Sequence, residues 1–268
     1  MEQQATAKLT FNANGGADMP TKKTTTTRTT TRRAAPEPAT TRARGTGAAV
    51  VYEALRDDIL NLKIAPGTLL DEIELGRRFQ LSRSPVREAL IRLSAEGLIQ
   101  TQANRSPLVT PFDIAQVPGF LDAMELMYRV TSRLAAMNRT PVNLREIVVK
   151  ARQLERGYKD KEVVVQMREN RAFHMAVAEA GGNPVYTAWL GVLLDQGQRL
   201  FRLCAFFEGD KSVRADFSEH HAIVAAVEAQ DALAAEQAGV RDLDILRNRL
   251  MREFGARPTG SMQLRSSR

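Results

Sequence analysis

Apolar residues recur at three- and four-residue steps through most of the chain after residue 46, the spacing that places them on one face of an α-helix. Between residues 46 and 111 this pattern predicts three helices, with Asp71 placed to cap the second and Ser82 the third. Apolar positions then alternate in two short segments, Leu98–Gln102 and Pro107–Thr110, which predicts two strands. Three helices followed by a hairpin are typical of a winged helix-turn-helix domain.

From residue 112 to 256 the helical spacing continues and no useful strand-like alternation occurs. Breaks at proline and glycine divide this part into helices at about residues 118–138, 143–158, 161–180, 184–207, 214–229 and 231–254. Helices of this length can form an antiparallel bundle, in which inward-facing side chains bind ligands or metals. The sequence therefore predicts a mostly α protein, with a winged helix-turn-helix joined to an all-α antiparallel bundle.

The two ends of the chain lack this periodicity. Residues 1–45 form a low-complexity segment with a threonine run, eight basic residues and three acidic ones, so most of the net charge of +7 lies there. Because this tail has little apolar surface to bury, we expect it to be disordered and to add non-specific attraction to an anionic polymer. An arginine- and threonine-rich, acid-poor terminus also resembles an organelle transit peptide. Residues 257–268 are expected to fray.

The composition narrows the class of protein. Hydrophobic residues make up 43% of the chain and charged residues 26%, which is ordinary for a soluble globular protein. No apolar run approaches the ~18–20 residues that a membrane span needs. Cys204 is the single cysteine, which excludes an intrachain disulfide and a cysteine-rich zinc site and is typical of a reducing compartment. These features predict a cytoplasmic protein with no membrane partner.

The first turn of the predicted third helix places Arg83, Ser84 and Arg87 on its exposed side. A helix N-terminus fits the DNA major groove, where its free N–H groups face phosphate and its first side chains reach base edges. Arg83 and Arg87 project from one face, and arginine can bind guanine with two hydrogen bonds or clamp a phosphate. Alternatively, these arginines only solvate the helix and pair with Glu88 or Glu96. The domain carries eight basic and eight acidic residues, which predicts a narrow basic face.

The run Ser82–Leu90, followed by Gly97-Leu98, resembles the DNA-binding domain of the GntR family of bacterial transcription regulators. The resemblance implies that Arg83, Ser84 and Arg87 contact operator DNA and that wing residues enter the minor groove.

Two positions depart from the family pattern. Ile73 stands where many relatives have a phosphate-binding arginine, so Arg77 or Arg78 is a candidate replacement. In the wing, Asn104 stands near the position of a common glycine and must supply any positive φ, next to Arg105. The resemblance therefore gives a candidate DNA-binding set with these members: Arg77, Arg78, Arg83, Ser84, Arg87, Asn104 and Arg105.

Three histidines occur in the chain, all in the predicted bundle. Asn170 and His174 are four residues apart and share one helix face. His220 lies about ten residues before a predicted turn and Asp242 about twelve after it, so both stand at a similar height on adjacent antiparallel helices. His221 is rotated by about 100° from its neighbour and is expected to face elsewhere. The sequence therefore allows one cavity to bring together Asn170, His174, His220 and Asp242.

The bundle resembles the ligand-binding domain (the FCD type) of the FadR branch of the same family, on the stretches Asn170–His174, Gly182–Pro184, Glu219–Ile223 and Asp231–Leu243. Relatives commonly hold a divalent metal with an aspartate and three histidines. The resemblance implies that the ligands here would be Asn170, His174, His220 and Asp242. A mixed nitrogen and oxygen set suits zinc, nickel or manganese. Alternatively, the two histidines hydrogen-bond an organic ligand directly.

Effector preference is also read from the resemblance. Met124 stands where relatives usually carry an arginine, and Tyr128 stands where they usually carry a glutamate. In relatives the arginine helps to hold a carboxylate effector. We therefore expect the effector site to have a weaker preference for organic acids, unless Arg129 or Arg133 faces inward. The candidate effector-binding residues are Met124, Tyr128, His174 and His220.

The sequence thus predicts a homodimeric transcription regulator that binds double-stranded operator DNA and a small-molecule effector, with an organic acid expected and repression the common outcome in the family. An alternative is a regulator whose signal is the metal itself. A metal-dependent enzyme is disfavoured, because the paired Glu-x-x-His motifs of di-metal bundles, a nucleophile elbow and a phosphate loop are absent from the sequence.

Overall fold

The computed structural model describes residues 46–102, 105–159, 163–207 and 217–254. The predicted tails (1–45 and 257–268) and Asn104 of the wing lie outside these residues. We call residues 46–111 the head and residues 112–254 the bundle. Within the described ranges, no helix combines the length and the apolar character needed to cross a membrane.

The head has the predicted three helices and hairpin: α1 Thr46–Leu60, α2 Glu72–Phe79, α3 Arg83–Ala95, β1 Ile99–Gln102 and β2 Arg105–Val109, with the strands antiparallel. The predicted strand bounds were wrong by one or two residues, because β2 begins at Arg105 rather than Pro107 and ends at Val109. The segment before α2 also joins the hairpin, since the N–H of Leu70 donates to the carbonyl of Pro107 at 2.7 Å. The core of the head consists of fully buried aliphatic side chains: Val51, Leu55, Ile59, Val86, Leu93, Leu98 and Val109.

The two predicted helix caps of the head have different outcomes. The Asp71 carboxylate accepts from the N–H groups of Ile73 and Glu74, at 2.7 and 3.0 Å, so it caps α2 as predicted. These two donors hold the pKa of Asp71 below its ordinary value. Ser82 occupies the cap position of α3 with extended backbone, but its side chain makes no capping hydrogen bond. The expectation that the Ser82 hydroxyl caps α3 is therefore wrong.

The bundle begins after a short 3-10 turn and contains α4 Val117–Asn138, α5 Pro141–Lys159, α6 Val163–Ala180, α7 Pro184–Phe207, α8 Ser218–Glu228 and α9 Ala232–Phe254. The six predicted helices are confirmed, although α5 begins two residues earlier than predicted and α8 begins at Ser218 rather than at about residue 214. The central helix α4 lies against α6, α7, α8 and α9. Close approach of α9 to α4 requires Gly239, because a Cβ there would stand 2.7 Å from the Ser132 hydroxyl and 3.1 Å from the Tyr128 carbonyl. This contact lies one turn before Asp242 and fixes its position above α4.

Head and bundle meet along α1 and α7. Arg199 of α7 is fully buried at this junction and donates to the carbonyl of Thr110, where the head ends, and to Gln196. Its guanidinium also lies 4.9 Å from the ring centroid of Phe112. Burial lowers the pKa of Arg199 to about 10, so it remains a cation at neutral pH. A charged, hydrogen-bonded side chain thus fastens the junction.

Candidate functional site

The N-terminal turn of α3 presents Arg83, Ser84 and Arg87 to solvent, as the sequence predicts. Arg87 is paired with Glu72 of α2, through Nε to Oε1 at 3.0 Å and Nη2 to Oε2 at 2.8 Å. Arg83 makes no ion pair with any described residue. The predicted partners Glu88 and Glu96 are therefore wrong, since Arg87 pairs with Glu72 instead.

Glu96 is held elsewhere, because it accepts from the Tyr52 hydroxyl at 2.7 Å. Burial and this hydrogen bond raise the pKa of Tyr52 to about 12, so its hydroxyl remains a donor at all physiological pH values.

The remaining candidate DNA contacts surround α3. Arg77 and Arg78 are both exposed on α2, and Arg78 pairs with Asp58 at 2.6 Å. Arg105 is exposed at the start of β2. Ile73 is 44% exposed, so an apolar side chain stands on the surface where the family pattern has an arginine. The described members of the set are thus all accessible to a ligand as large as DNA.

A cavity of about 90 Å³ lies in the bundle and is lined by residues of α4, α5, α6, α7, α8 and α9. Its walls include Met124, Tyr128, Tyr158, Met167, Asn170, Arg171, Leu194, Gln198, Phe201, His220, Asp242 and Leu246. His174 lies directly behind this wall, with its ring 4.6 Å from that of Tyr128. Met124, Tyr128, Asn170, His220 and Asp242 therefore surround one space, whereas the candidate effector residue His174 does not line it.

The polar end of the cavity is a cluster of the buried His174, His220 and Asp242 with the half-buried Asn170. The two oxygens of Asp242 lie 3.1 Å from His174 Nε2 and 3.4 Å from His220 Nδ1. His220 Nε2 lies 3.1 Å from Asn170 Oδ1. His221 instead points outward and meets Glu155 at 2.6 Å, as its predicted rotation requires. The four residues that helix geometry expected to meet do meet.

Two atoms of this cluster suit a cation. His174 Nε2 and His220 Nδ1 are fully buried and lack a hydrogen bond of acceptable geometry, although each faces Asp242. Ligand atoms of His174, His220 and Asp242 all lie within 4.8 Å of one another, which allows one ion to contact all three. When His220 Nε2 donates to Asn170 Oδ1, the lone pair of Nδ1 faces a carboxylate oxygen, and a positive charge between them relieves the repulsion.

The pKa shifts of His220 and Asp242 are in the directions that favour metal ligation. Burial lowers the pKa of His220, which favours neutral imidazole. Burial acts to raise the pKa of Asp242, but the neighbouring His220 and His174 outweigh it, so the carboxylate ionises below its ordinary range. Burial, together with Asp242, holds the pKa of Tyr128 well above its ordinary value, so Tyr128 presents a neutral hydroxyl.

Arg129 and Arg133 do not supply the missing arginine of the cavity. Arg129 pairs with Glu125 at 2.9 Å, and both arginines reach Glu236 of α9, at 3.4 and 3.2 Å. Neither lines the cavity, so the possibility that they compensate for Met124 is wrong. The cavity wall instead contains Arg171, which sequence reasoning missed. Its spacing of four residues from Met167, another wall residue, was the available signal.

Two family models match separate parts of the chain. Residues 47–109 match the family described as bacterial regulatory proteins, gntR family, and residues 120–244 match the FCD domain. These two matches fall within the predicted head and bundle.

Individual relatives match over different lengths. The HTH-type transcriptional repressor RspR of Escherichia coli K12 is 49% identical over 67 residues, so the match covers 25% of this chain and only 29% of RspR. The HTH-type transcriptional regulator LutR of Bacillus subtilis strain 168 is 30% identical over 199 residues, which are 67% of this chain and 90% of LutR. These relatives are regulators and not enzymes, in agreement with the prediction.

Solved structures share the fold. Escherichia coli McbR/YncC aligns with a TM-score of 0.66 at 19% identity, over 78% of this chain and 99% of that one. A putative transcriptional regulator GntR from Rhodococcus sp. RHA1 aligns with a TM-score of 0.61 at 19% identity, over 76% of this chain and 97% of that one. The head-and-bundle architecture is therefore common to the three proteins.

Proposed function

Because this chain belongs to the GntR family of bacterial regulatory proteins and carries an FCD domain, we propose that it is a transcription regulator controlled by a small molecule. The head binds double-stranded operator DNA, and the bundle binds the effector. The observation that carries the first half is the exposed N-terminus of α3, with Arg83 and Arg87 on one face. The observation that carries the second is the cavity of about 90 Å³ in the bundle, which has Arg171, His220 and Asp242 among its lining residues.

DNA binding through α3 uses two different arginines. Arg83 has no carboxylate partner in the described part of the chain and is available to a phosphate or a base. Arg87 is held by Glu72 through Nε and Nη2, which leaves its Nη1 edge directed away from that pair. Free N–H groups at the start of α3 add a phosphate site, since the Ser82 side chain does not cap them.

The test of this proposal is operator binding by variants of the head. Selection from random duplexes first supplies the operator, and Arg83→Ala is then expected to weaken operator binding by about tenfold or more. Lys63→Ala is the control, because it also removes one exposed positive charge but lies in the turn after α1, where Lys63 pairs with Asp57. Equal affinity of Arg83→Ala and the parent would contradict the assignment of α3 as the recognition helix.

The effector proposed for the bundle is an organic acid, bound beside one divalent metal. The cluster of Asn170, His174, His220 and Asp242 would hold the ion, and zinc, nickel and manganese are the candidates. A bound cation would supply a positive centre for an effector carboxylate. The orphaned nitrogens of His174 and His220 support this proposal. The competing arrangement needs no metal, because an Asn170 amide turned over donates to His220 Nε2, whose Nδ1–H then donates to Asp242.

Asn170→Asp separates these two arrangements. In a metal site it replaces a neutral oxygen with an anionic one and is expected to increase the retained metal. In the metal-free arrangement it removes the amide donor and adds a second buried carboxylate, so it is expected to lower the melting temperature without metal uptake. Elemental analysis and thermal melting of both proteins after identical purification decide between the two, and a parent and variant that both lack metal would refute the metal proposal.

Homodimerisation, repression and a cytoplasmic location complete the proposal. Two-fold symmetry in a dimer matches palindromic operators, so we expect sedimentation at the mass of two chains. The description of RspR as a repressor supports repression here. Transcription of a reporter gene behind the selected operator gives the sign directly, since a repressor lowers it and an activator raises it.

A further inference from the structure

One buried carboxylate touches both the effector cavity and the DNA-binding head. Asp195 lies on α7 and is 3% exposed. Its Oδ1 accepts from Nε of Arg171 at 2.6 Å, and Arg171 is part of the cavity wall. Both of its oxygens accept from Nη2 of Arg56, at 2.6 and 2.5 Å, and Arg56 belongs to α1 of the head. The cluster of Arg56, Asp195 and Arg171 therefore spans the junction between the two halves.

The carboxylates near this cluster are distributed unevenly between its two guanidinium groups. Two guanidinium groups share one carboxylate, and Arg56 has a second anion nearby, because its Nε lies 3.8 Å from Glu96 Oε2. For Arg171, Asp195 is the one carboxylate partner among the described residues. Arg171 thus shares its carboxylate with Arg56, and it is the one arginine or lysine among the described residues that line the cavity. The wall combines apolar side chains such as Met124 and Leu246 with the polar end at Asp242. An anionic group on an otherwise apolar molecule complements this wall.

We infer that Arg171 selects a carboxylate-bearing effector with an apolar body, and that Asp195 couples the binding of this effector to the seating of the head through Arg56. The inference deepens the proposed function, on which it rests, by assigning the ligand-selecting residue and the connection to the DNA-binding half. It also explains how the cavity can prefer an acid with Met124 in place of the family arginine.

The direction of the coupling follows from the sharing of Asp195. With the head seated, Arg56 takes part of the negative charge of Asp195, so Arg171 attracts an anion more strongly. With the head unseated, Asp195 serves Arg171 alone and neutralises it. An anionic ligand therefore favours the seated head, and the seated head favours the ligand by the same factor.

Ligand selection is tested with molecules that differ in charge and little else: benzoate with benzamide, and hexanoate with hexanamide. Isothermal titration of the parent is expected to show a carboxylate bound about tenfold or more tighter than its amide, because a charge-assisted hydrogen bond to guanidinium is lost with the charge. Arg171→Gln should abolish this preference. Arg168→Gln is the control, since Arg168 lies on the same helix, is exposed and pairs with the adjacent Glu169. No carboxylate preference in the parent, or a preference that survives Arg171→Gln, would overturn the inference.

The coupling is tested outside the cavity. Arg56→Gln should weaken binding of the preferred carboxylate by about fivefold or more, and Asp195→Asn should strengthen it, since the competing anion beside Arg171 is gone. In an Asp195→Asn background, Arg56→Gln should have no further effect. If Asp195→Asn instead weakens the acid as much as Arg171→Gln does, Asp195 merely positions Arg171 and the coupling is refuted. If Asp195→Asn does not fold, Arg56→Gln alone decides, and unchanged acid affinity refutes the coupling.

Failure of the inference is distinguishable from failure of the proposed function. Operator affinity measured without any acid reports on the head alone. A parent protein that does not bind operator DNA would contradict the regulator proposal, whatever the titrations show. A parent that binds operator but shows no carboxylate preference would overturn only the role of Arg171.

Discussion

Glu72 pairs with Arg87 in the free protein. Removing the charge of Glu72 shows whether this carboxylate orients Arg87 for DNA or competes with DNA for it. The pair is bidentate, at 3.0 and 2.8 Å, and uses the Nε and Nη2 side of the guanidinium. The Nη1 edge remains free, so Glu72 can hold Arg87 in one orientation while this edge reaches a base. We therefore predict that Glu72→Gln lowers discrimination between operator and unrelated DNA.

The magnitude follows from exposure of the pair. The Arg87 side chain is 64% exposed and that of Glu72 is 23% exposed, so water and salt screen most of their attraction. An exposed pair of this kind changes an equilibrium constant by about two- to fivefold, and this is the expected loss in the ratio of specific to non-specific affinity. Non-specific affinity should rise slightly, because a negative charge near the phosphates is removed.

Fluorescence anisotropy with operator and scrambled duplexes at two salt concentrations measures this ratio. Glu74→Gln is a matched control, since it removes the same charge from the same first turn of α2 and Glu74 has no arginine partner in the described ranges. Both variants should gain non-specific affinity, but only Glu72→Gln should lose discrimination. An unchanged ratio of specific to non-specific affinity in Glu72→Gln would refute the orienting role. A higher ratio would also refute it and would show that Glu72 competes with DNA for Arg87.

Three further predictions concern stability and the tail. Asp71→Ala should lower the urea midpoint at pH 7 by removing the cap of α2; because the folded-state pKa of Asp71 lies below its ordinary 3.8, this difference should vanish as the pH falls through the folded-state value. Gly239→Ala should lower stability by about 1–3 kcal/mol in chemical denaturation, since its Cβ would meet the Ser132 hydroxyl at 2.7 Å, and Gly119→Ala, with open space around it, should not. Deletion of residues 1–45 removes a net charge of +5 and should reduce the slope of log affinity against log salt, and an unchanged slope would show that the tail stays off DNA.

Helix periodicity and turn positions were sufficient to predict the cluster in the bundle. His220 and Asp242 stand at similar distances from the turn between α8 and α9, and antiparallel packing then brings them to 3.4 Å. The four-residue spacing of Asn170 and His174 places both on one face of α6, independent of any detail of packing. Positions that depend only on rise and rotation along a helix could thus be predicted.

Partners across helix pairs could not be predicted in the same way. Which carboxylate meets Arg87 depends on how α2 packs against α3, and Glu72 is 15 residues away in sequence. Arg56 and Asp195 are 139 residues apart, and their contact depends on the docking of α1 on α7. Glu236 draws Arg129 away from the cavity because α9 crosses α4 closely at Gly239. Periodicity fixes the face of a side chain but not the neighbour that this face meets.

The cluster in the bundle has one carboxylate, on α9 at Asp242, and the resemblance implies that the aspartate of relatives stands instead at the position of Asn170 on α6. This move brings the negative charge within 3.1 and 3.4 Å of two imidazole nitrogens, whereas Asn170 contacts His220 alone. A buried carboxylate beside two imidazole nitrogens is stabilised by a compensating positive charge, which a divalent cation or a proton shared with a histidine can supply. One carboxylate suits either form of compensation. In Asn170→Asp the cluster would contain two carboxylates, whose two negative charges one proton cannot neutralise but a divalent cation can. Asn170→Asp therefore tests for the metal itself rather than for the geometry of the cluster.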